Sequence, residues 1–363
     1  MVVTVLRTTL RDALLVAERF LGKQLSLPII GNILIKTDSQ KLKIQATNLE
    51  MGVEVQIPAK IAREGSIAIP PRVLSSLLQT LPDEKITLEE KEGVITLETD
   101  SSQSEIRGII SKDFPIMPQI KGKTKVTIKN SILIPQLLRI LPSISASDFK
   151  PGISGLFFRA GKKQLTLTGT DTFRLAEAKI SEFAATEETS AIIPLRPLQE
   201  FVKIADPDQE TTFLFHEGQV AIESENVKIV TRLIQDRYPD YENLIPKDFS
   251  TSLFIPRDEM LSSVKLSSVF SSKLNDVVLS YRPNHLMLEI LNPDVGKHTK
   301  EINAKVSGKS GRIGFNYRYL SDALEGLRSS EISVSLIDET RPALIRDDQD
   351  PQFFTILMPI RIS

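Results

Sequence analysis

Ile69-Pro-Pro-Arg-Val-Leu74 returns 124 residues later as Ile193-Pro-Leu-Arg-Pro-Leu198, and more faintly another 120 residues on as Ile313-Gly-Phe-Asn316. Other landmarks keep nearly the same step. The prolines of Asp113-Phe-Pro115, Arg237-Tyr-Pro239 and Leu357-Met-Pro359 stand 124 and 120 residues apart. The pairs Leu14-Leu15, Leu137-Leu138 and Met260-Leu261 are each separated by 123, and Asn48, Asp171 and Asn292, each just after a β-rich run, by 123 and 121. This period far exceeds the roughly 20–50 residues of a solenoid unit. The chain therefore reads as three whole domains of similar fold, at 1–122, 123–246 and 247–363.

Each repeat has the same order of elements. In the first, Leu10, Ala13, Leu14, Ala17 and Leu21 form one apolar stripe at helical spacing. Strands follow at 42–46 and 53–57, with apolar and polar residues alternating. Pro70-Pro71 then opens a second helix over 72–81, because proline suits a first helical turn, with Val73, Leu74, Leu77 and Leu78 facing inward. Strands at 85–89 and 94–98 lead to an extended segment near Phe114-Pro115. Matching helices are expected near 131–142 and 197–205, then near 257–270 and 317–328. The fold class is α+β: three tandem domains, each with two helices packed on antiparallel sheet.

Composition narrows the chemistry. The 363 residues hold no cysteine, which excludes disulfides, thiol nucleophiles and cysteine-ligated metal. His216, His285 and His298 are too scattered for a histidine metal site, so no metal or cofactor is expected. No run approaches the ~18 apolar residues of a membrane span, and Arg7, Arg11 and Asp12 interrupt any secretory segment; a cytoplasmic location is expected. Forty-five basic and 46 acidic residues give a net charge of −1. That excludes a polycation coating nucleic acid, but not a local basic surface.

Catalytic motifs fail on inspection. Gly308-Lys309-Ser310 resembles the end of a phosphate-binding loop, but Asn303 stands where its first glycine belongs. Asp171 could be an acid or nucleophile beside Arg174, which keeps a hydrolase as a rival reading. Its repeat counterparts are Asn48 and Asn292, however, and Asp alternating with Asn is turn chemistry. What remains is a scatter of cations on the helices: Arg7 and Arg11 on the first, Lys23 after it, Arg72 on the second, Arg139 on the third, Arg196 and Lys203 on the fourth, and Lys265 on the fifth. Such charges either solubilise the surface or touch phosphates without reading sequence. With few aromatics among them, base stacking is not indicated.

The ordered set Leu27-Pro-Ile-Ile-Gly-Asn32, Thr47-Asn-Leu-Glu-Met51, Asp113-Phe-Pro115, Thr170-Asp-Thr-Phe-Arg-Leu-Ala176, Arg237-Tyr-Pro-Asp-Tyr241, Ile313-Gly-Phe-Asn316 and Met358-Pro-Ile-Arg361 resembles the bacterial DNA sliding clamps, the beta subunits of the DNA polymerase III holoenzyme. The resemblance covers the whole chain. It implies a non-catalytic processivity factor: a head-to-tail homodimer ring, helices lining the hole, encircling duplex DNA without sequence specificity. Three similar domains per chain agree with this, since heterologous contacts can close them into a pseudo-sixfold ring. A protein-only scaffold on the same fold is the other rival.

The resemblance also implies sites. One peptide pocket per chain would receive motifs of the replicative polymerase, the clamp loader and other clamp-binding proteins. Position by position it comprises Ile153, Thr170, Thr172, Phe173, Arg174 and Leu175, with Pro239, Asn243, Leu244 and Pro342, and the run Ile356, Leu357, Met358, Pro359, Ile360 and Arg361. The family often has Gly-His where this chain has Thr172-Phe173, and some members have Arg at Asn243. Gln24 and Ser147 occupy loop positions that approach DNA in the family and join the helix cations as DNA-facing candidates. At the dimer interface, the edge strand with Ser104 and Ile106 would meet Val269 and Phe270 of the other chain, with Ile106 and Phe270 as apolar anchors.

Overall fold

A computed structural model describes residues 1–22, 27–147, 149–272 and 274–362. The chain forms two compact units, Met1–Asn130 with Ala184–Thr186 and Gln199–Leu233, and Ser131–Phe183 with Glu187–Leu198 and Ile234–Ser363. These units cut across the sequence repeats because two of the sheets run from one repeat into the next.

In the first unit a five-stranded antiparallel sheet has the order Lys60–Arg63, Val2–Leu6, Lys85–Lys91, Val94–Glu98, Gln103–Arg107. A ten-stranded sheet begins with strands of the first repeat and ends with strands of the second. Its joint is the antiparallel pair Met51–Pro58 and Val227–Arg232. The second unit repeats this plan. A nine-stranded sheet is joined where Arg174–Ile180 pairs with Phe353–Leu357. A four-stranded sheet follows, in the order Gly296–Ile302, His285–Asn292, Asp276–Arg282, Gly311–Asn316. Alternation drives this arrangement: in Lys41–Thr47 the residues Leu42, Ile44 and Ala46 are fully buried while Lys41 is exposed.

The helices are α1 (Arg7–Glu18), α2 (Pro71–Thr80), α3 (Asn130–Ile140), α4 (Leu195–Ile204), α5 (Arg257–Ser267) and α6 (Tyr317–Glu325). α1 buries Leu10, Ala13, Leu14 and Ala17 of the expected stripe and ends before Leu21, which is half-buried. α2 buries Pro71, Leu74, Ser75 and Leu78, whereas Val73, expected inside, is 48% exposed. The helix begins at Pro71, one residue early, and Ser75, on the face of Pro71, Leu74 and Leu78, turns inward in place of Val73 and donates to Glu18 of α1.

Two expectations about the third repeat shift. α1, α3 and α5 begin at Arg7, Asn130 and Arg257, so Leu14 and Leu137 correspond to the buried Val264 and not to Met260. Likewise, the strand-to-helix step at Pro70 and Pro194 falls on Asn316, because α2, α4 and α6 start at the next residue. Loops of unequal length move the sequence landmarks away from the elements.

The segment leading out of the central repeat is pinned to the nine-stranded sheet by a buried polar network. Tyr238 stacks on Phe157 at 4.6 Å and donates to the Thr168 carbonyl. Tyr241 accepts from the Thr168 hydroxyl at 3.0 Å and donates to Glu177, a carboxylate on a 3% exposed residue. Burial, and then the Glu177 carboxylate, push the Tyr241 phenol well above its ordinary value, so it remains a donor. Among the described residues no helix is long and apolar enough to cross a membrane, and no cluster of three His, Asp or Glu could hold a metal ion.

Candidate functional site

The residues expected in a peptide pocket all lie in the second unit, and several converge on one strand joint. The turn before the strand Arg174–Ile180 is the organising piece. Asp171 Oδ1 accepts from the backbone N–H groups of Phe173 and Arg174, both at 2.9 Å, and its Oδ2 accepts from Arg174 Nε at 3.0 Å. Thr170 Oγ1 accepts from Thr172 N and donates to the Arg174 carbonyl at 2.7 Å. These bonds hold Thr172 at φ 79°, a conformation costing a β-branched residue roughly 1–3 kcal/mol. Asn48 and Asn292 make the same kind of turn, each accepting backbone N–H bonds two or three residues ahead. Asp171 is turn chemistry, as its alternation with Asn indicated.

Beyond the turn, Arg174 pairs with Leu357 and Leu175 with Ile356 in the ladder. Met358 N then donates to the Phe173 carbonyl at 2.8 Å, and Ile360 N to the Gly314 carbonyl at 2.9 Å. The C-terminal run is thus tied to the turn on one side and to the strand Gly311–Asn316 on the other. Ile153 and Thr170 are neighbours, because Ser145 N donates to both of their carbonyls. Pro342 precedes Ala343, the ladder partner of Leu357. Leu175, Ile356 and Tyr241 share one buried cluster. Phe173, Leu244 and Met358, by contrast, are 59%, 64% and 38% exposed. Asn243 donates to Asp240 at 2.8 Å, Pro239 and Arg361 are exposed, and Pro359 is half-buried.

Two residues of this neighbourhood escaped the sequence reading. The Arg174 guanidinium lies 4.2 Å from the Tyr319 ring centroid and forms an ion pair with Asp322, both on α6, while also donating to the Pro142 carbonyl. Nothing in the sequence ties Arg174 to residues about 150 positions away.

The DNA-facing candidates divide. Arg72 and Arg196 are exposed and make no ion pair among the described residues. Lys203 is exposed beside Glu200 at 3.0 Å, and Lys265 beside Glu325 at 2.7 Å. Arg11 is bonded to Asp12, and Arg7 closes the end of α2 by donating to the carbonyls of Leu78 and Asp83. Ser147 is exposed, and Lys23 and Gln24 lie outside the described residues. Arg139 must be corrected. It is 8% exposed, donates to the Gly326 carbonyl and to Asp350 at 2.7 Å, and lies 3.7 Å over the Phe353 ring. A guanidinium so committed faces protein and not DNA.

The interface candidates also need one correction. In the edge strand Gln103–Arg107, Ser104 is half-buried, but Ile106 is 4% exposed and fills the core of its own sheet. A lone apolar residue on a half-buried edge strand turns inward, so Ile106 is not a free anchor. Val269 is 71% exposed, and Phe270 is half-buried, stacked on His298 at 5.6 Å.

Three family models match in succession: the N-terminal domain of the DNA polymerase III beta subunit over residues 1–118, its central domain over 127–240 and its C-terminal domain over 242–361. The beta sliding clamp of Synechococcus elongatus is 27% identical, with 97% of each chain covered. The crystal structure of the DNA polymerase sliding clamp from Bacillus subtilis superposes with a TM-score of 0.95 at 25% identity, covering all of both chains. A sliding clamp from Bartonella birtlesii, solved bound to griselimycin, gives 0.94 at 26%, again over all of both chains. With all three domain models matched in order and full-length likeness in sequence and structure, the chain belongs to the DNA polymerase III beta-subunit family, the bacterial sliding clamps.

Proposed function

We propose that the chain is the processivity clamp of a replicative DNA polymerase: two copies close head to tail around duplex DNA and tether the polymerase and other clamp-binding proteins through a peptide pocket. The observation that carries this reading is the pattern of strand joints. In both joints within the chain, the strand that follows the Asx turn of one repeat pairs with the last ladder strand of the next repeat. The turn-following strand of the third repeat, Gly296–Ile302, and the last strand of the first, Gln103–Arg107, each pair on one side alone. They are the two halves of a third joint, and a second copy supplies the missing half of each. Applied to two chains, the rule closes the assembly and leaves no free edge of this kind.

Domains at 1–122, 123–246 and 247–363 follow from this reading, as each then contributes half a sheet to each neighbour. So does a cytoplasmic location, where replication takes place. Sliding clamps are non-catalytic accessory subunits. The hydrolase rival loses its acid, because both Asp171 oxygens are already engaged in the turn. The pocket comprises the turn 170–175, the segment around Asn243 and Leu244 and the C-terminal run, with Tyr319 as an added wall.

DNA contact falls to the exposed cations Arg72, Arg196 and Lys203. Replacing all three by alanine should weaken binding of the unloaded clamp to a short duplex. It should also flatten the dependence of log K on log salt by about 0.9 for each phosphate that is no longer neutralised. Fluorescence anisotropy across a salt series checks this; an unchanged slope would assign DNA contact to other residues.

A further inference from the structure

The two joints inside the chain fix the register of the joint between chains. In the first, Gly52 faces Val230 and Glu54 faces Lys228; in the second, Leu175 faces Ile356 and Glu177 faces Phe354. Ladder partners identify the corresponding positions without reliance on loop length. Gly155 pairs with the residue before α4 and Asp276 with the residue before α6. Walking outward from these across successive ladders carries Leu175 onto Lys297 and Glu177 onto Thr299. The same walk from Lys129 and Leu6, the residues before α3 and α1, carries Val230 onto Glu105 and Lys228 onto Gln103.

We propose that Lys297 of one copy lies directly opposite Glu105 of the next, and that this cross-strand ion pair sets the register and the partner edge of the intermolecular joint. This rests on the head-to-tail reading above. Three features of the two free edges agree with the register. Both side chains are exposed in the single chain and opposite in charge. His298 falls opposite Ser104 of the second copy, and His298 Nε2 is a buried atom with no hydrogen-bond partner among the described residues. Gly296 falls opposite Ile106, so Ile106, turned into the core of its own sheet, meets no side chain across the joint, and Phe270 lies 3.9 Å from where a Cβ of Gly296 would sit. The position that is Gly–Val and Leu–Ile in the two joints within the chain is Lys–Glu in the one joint that must part for DNA to enter. Apolar pairs suit a permanent seam, whereas an exposed ion pair is weak and screened by salt.

The test exploits the geometry of a two-joint ring. Lys297→Glu places two glutamates across each joint of its own dimer, and Glu105→Lys places two lysines there. Each variant alone should dissociate more readily, by roughly thirtyfold in dimer Kd, since the change acts at both joints. Mixed in equal amounts, the two variants form a dimer in which both joints pair Glu with Lys, so the mixture should regain association close to that of the unmodified chain. Lys297 also bonds Glu289 within its own strand pair, but loss of that bond is the same whatever the partner and cannot produce recovery on mixing. Analytical ultracentrifugation over a dilution series reads all of these. Variants that self-associate normally, or a mixture no tighter than its weaker component, would overturn the register while the unmodified dimer stands. An unmodified chain that sediments as a monomer at every concentration would overturn the ring reading itself.

Discussion

Arg139→Ala should cost the second unit about 3 kcal/mol or more, the low end of the range for removing one partner of a buried ion pair. The substitution deletes three interactions at once: the ion pair with Asp350, the bond to the Gly326 carbonyl at the end of α6, and the guanidinium over Phe353. It leaves the Asp350 carboxylate, 23% exposed, without its cation. Burial already pulls the Arg139 pKa below its ordinary value, but guanidinium stays charged, and its hydrogen bonds here are charge-assisted. A loss of 3 kcal/mol corresponds to a fall of roughly 6–12 °C in the melting temperature of a unit of this size. Calorimetry should resolve the change in one transition, since two units need not melt together. The salt dependence of DNA binding should not move. A variant with normal stability and a flattened salt slope would return Arg139 to the DNA-facing surface.

Truncation after Leu357 should abolish binding of a polymerase C-terminal peptide and leave the dimer intact. The segment removed is more than a wall. Met358 and Ile360 tie the Asp171 turn to the strand Gly311–Asn316, and Ile360 and Ile362 lie against Gly314. Without it, the Phe173 carbonyl loses the bond from Met358 N and the turn loses its tie to the rest of the unit. Phe173→Ala, which keeps the segment, is the graded version and should weaken binding by about 1–3 kcal/mol, the size of an interface anchor. Isothermal calorimetry with the peptide reads both, and light scattering reads the dimer. Unchanged affinity in both variants would move the partner site elsewhere on the molecule.

The sequence made the architecture legible where local rules govern. The α1 stripe, the proline-led start of α2 and the three Asx turns stand where spacing and turn chemistry put them. Reading failed where the deciding contact is distant. Arg139 looks like any cation on an amphipathic helix, and only the fold brings Asp350 and Phe353 to it. Tyr319 and Asp322 carry no local mark of their contact with Arg174. Ile106 is different, because the signal was present: it is the one apolar residue in Gln103–Arg107, and alternation already turns it inward. The joints lie between these cases. Each strand is legible by itself, but its partner is more than a hundred residues away, and only the paired registers expose the rule that both joints share.

The central claim is topological: the clamp stays on DNA because it surrounds it. A clamp loaded by its loader onto nicked circular DNA should co-elute with the circle on gel filtration and be lost soon after one restriction cut, by sliding off the ends. Substituting Arg72, Arg196 and Lys203 should leave retention on the circle largely intact, since linkage and not contact strength holds the ring. If the cut leaves co-elution unchanged, the protein is held by its contacts, and the sliding-clamp account is wrong.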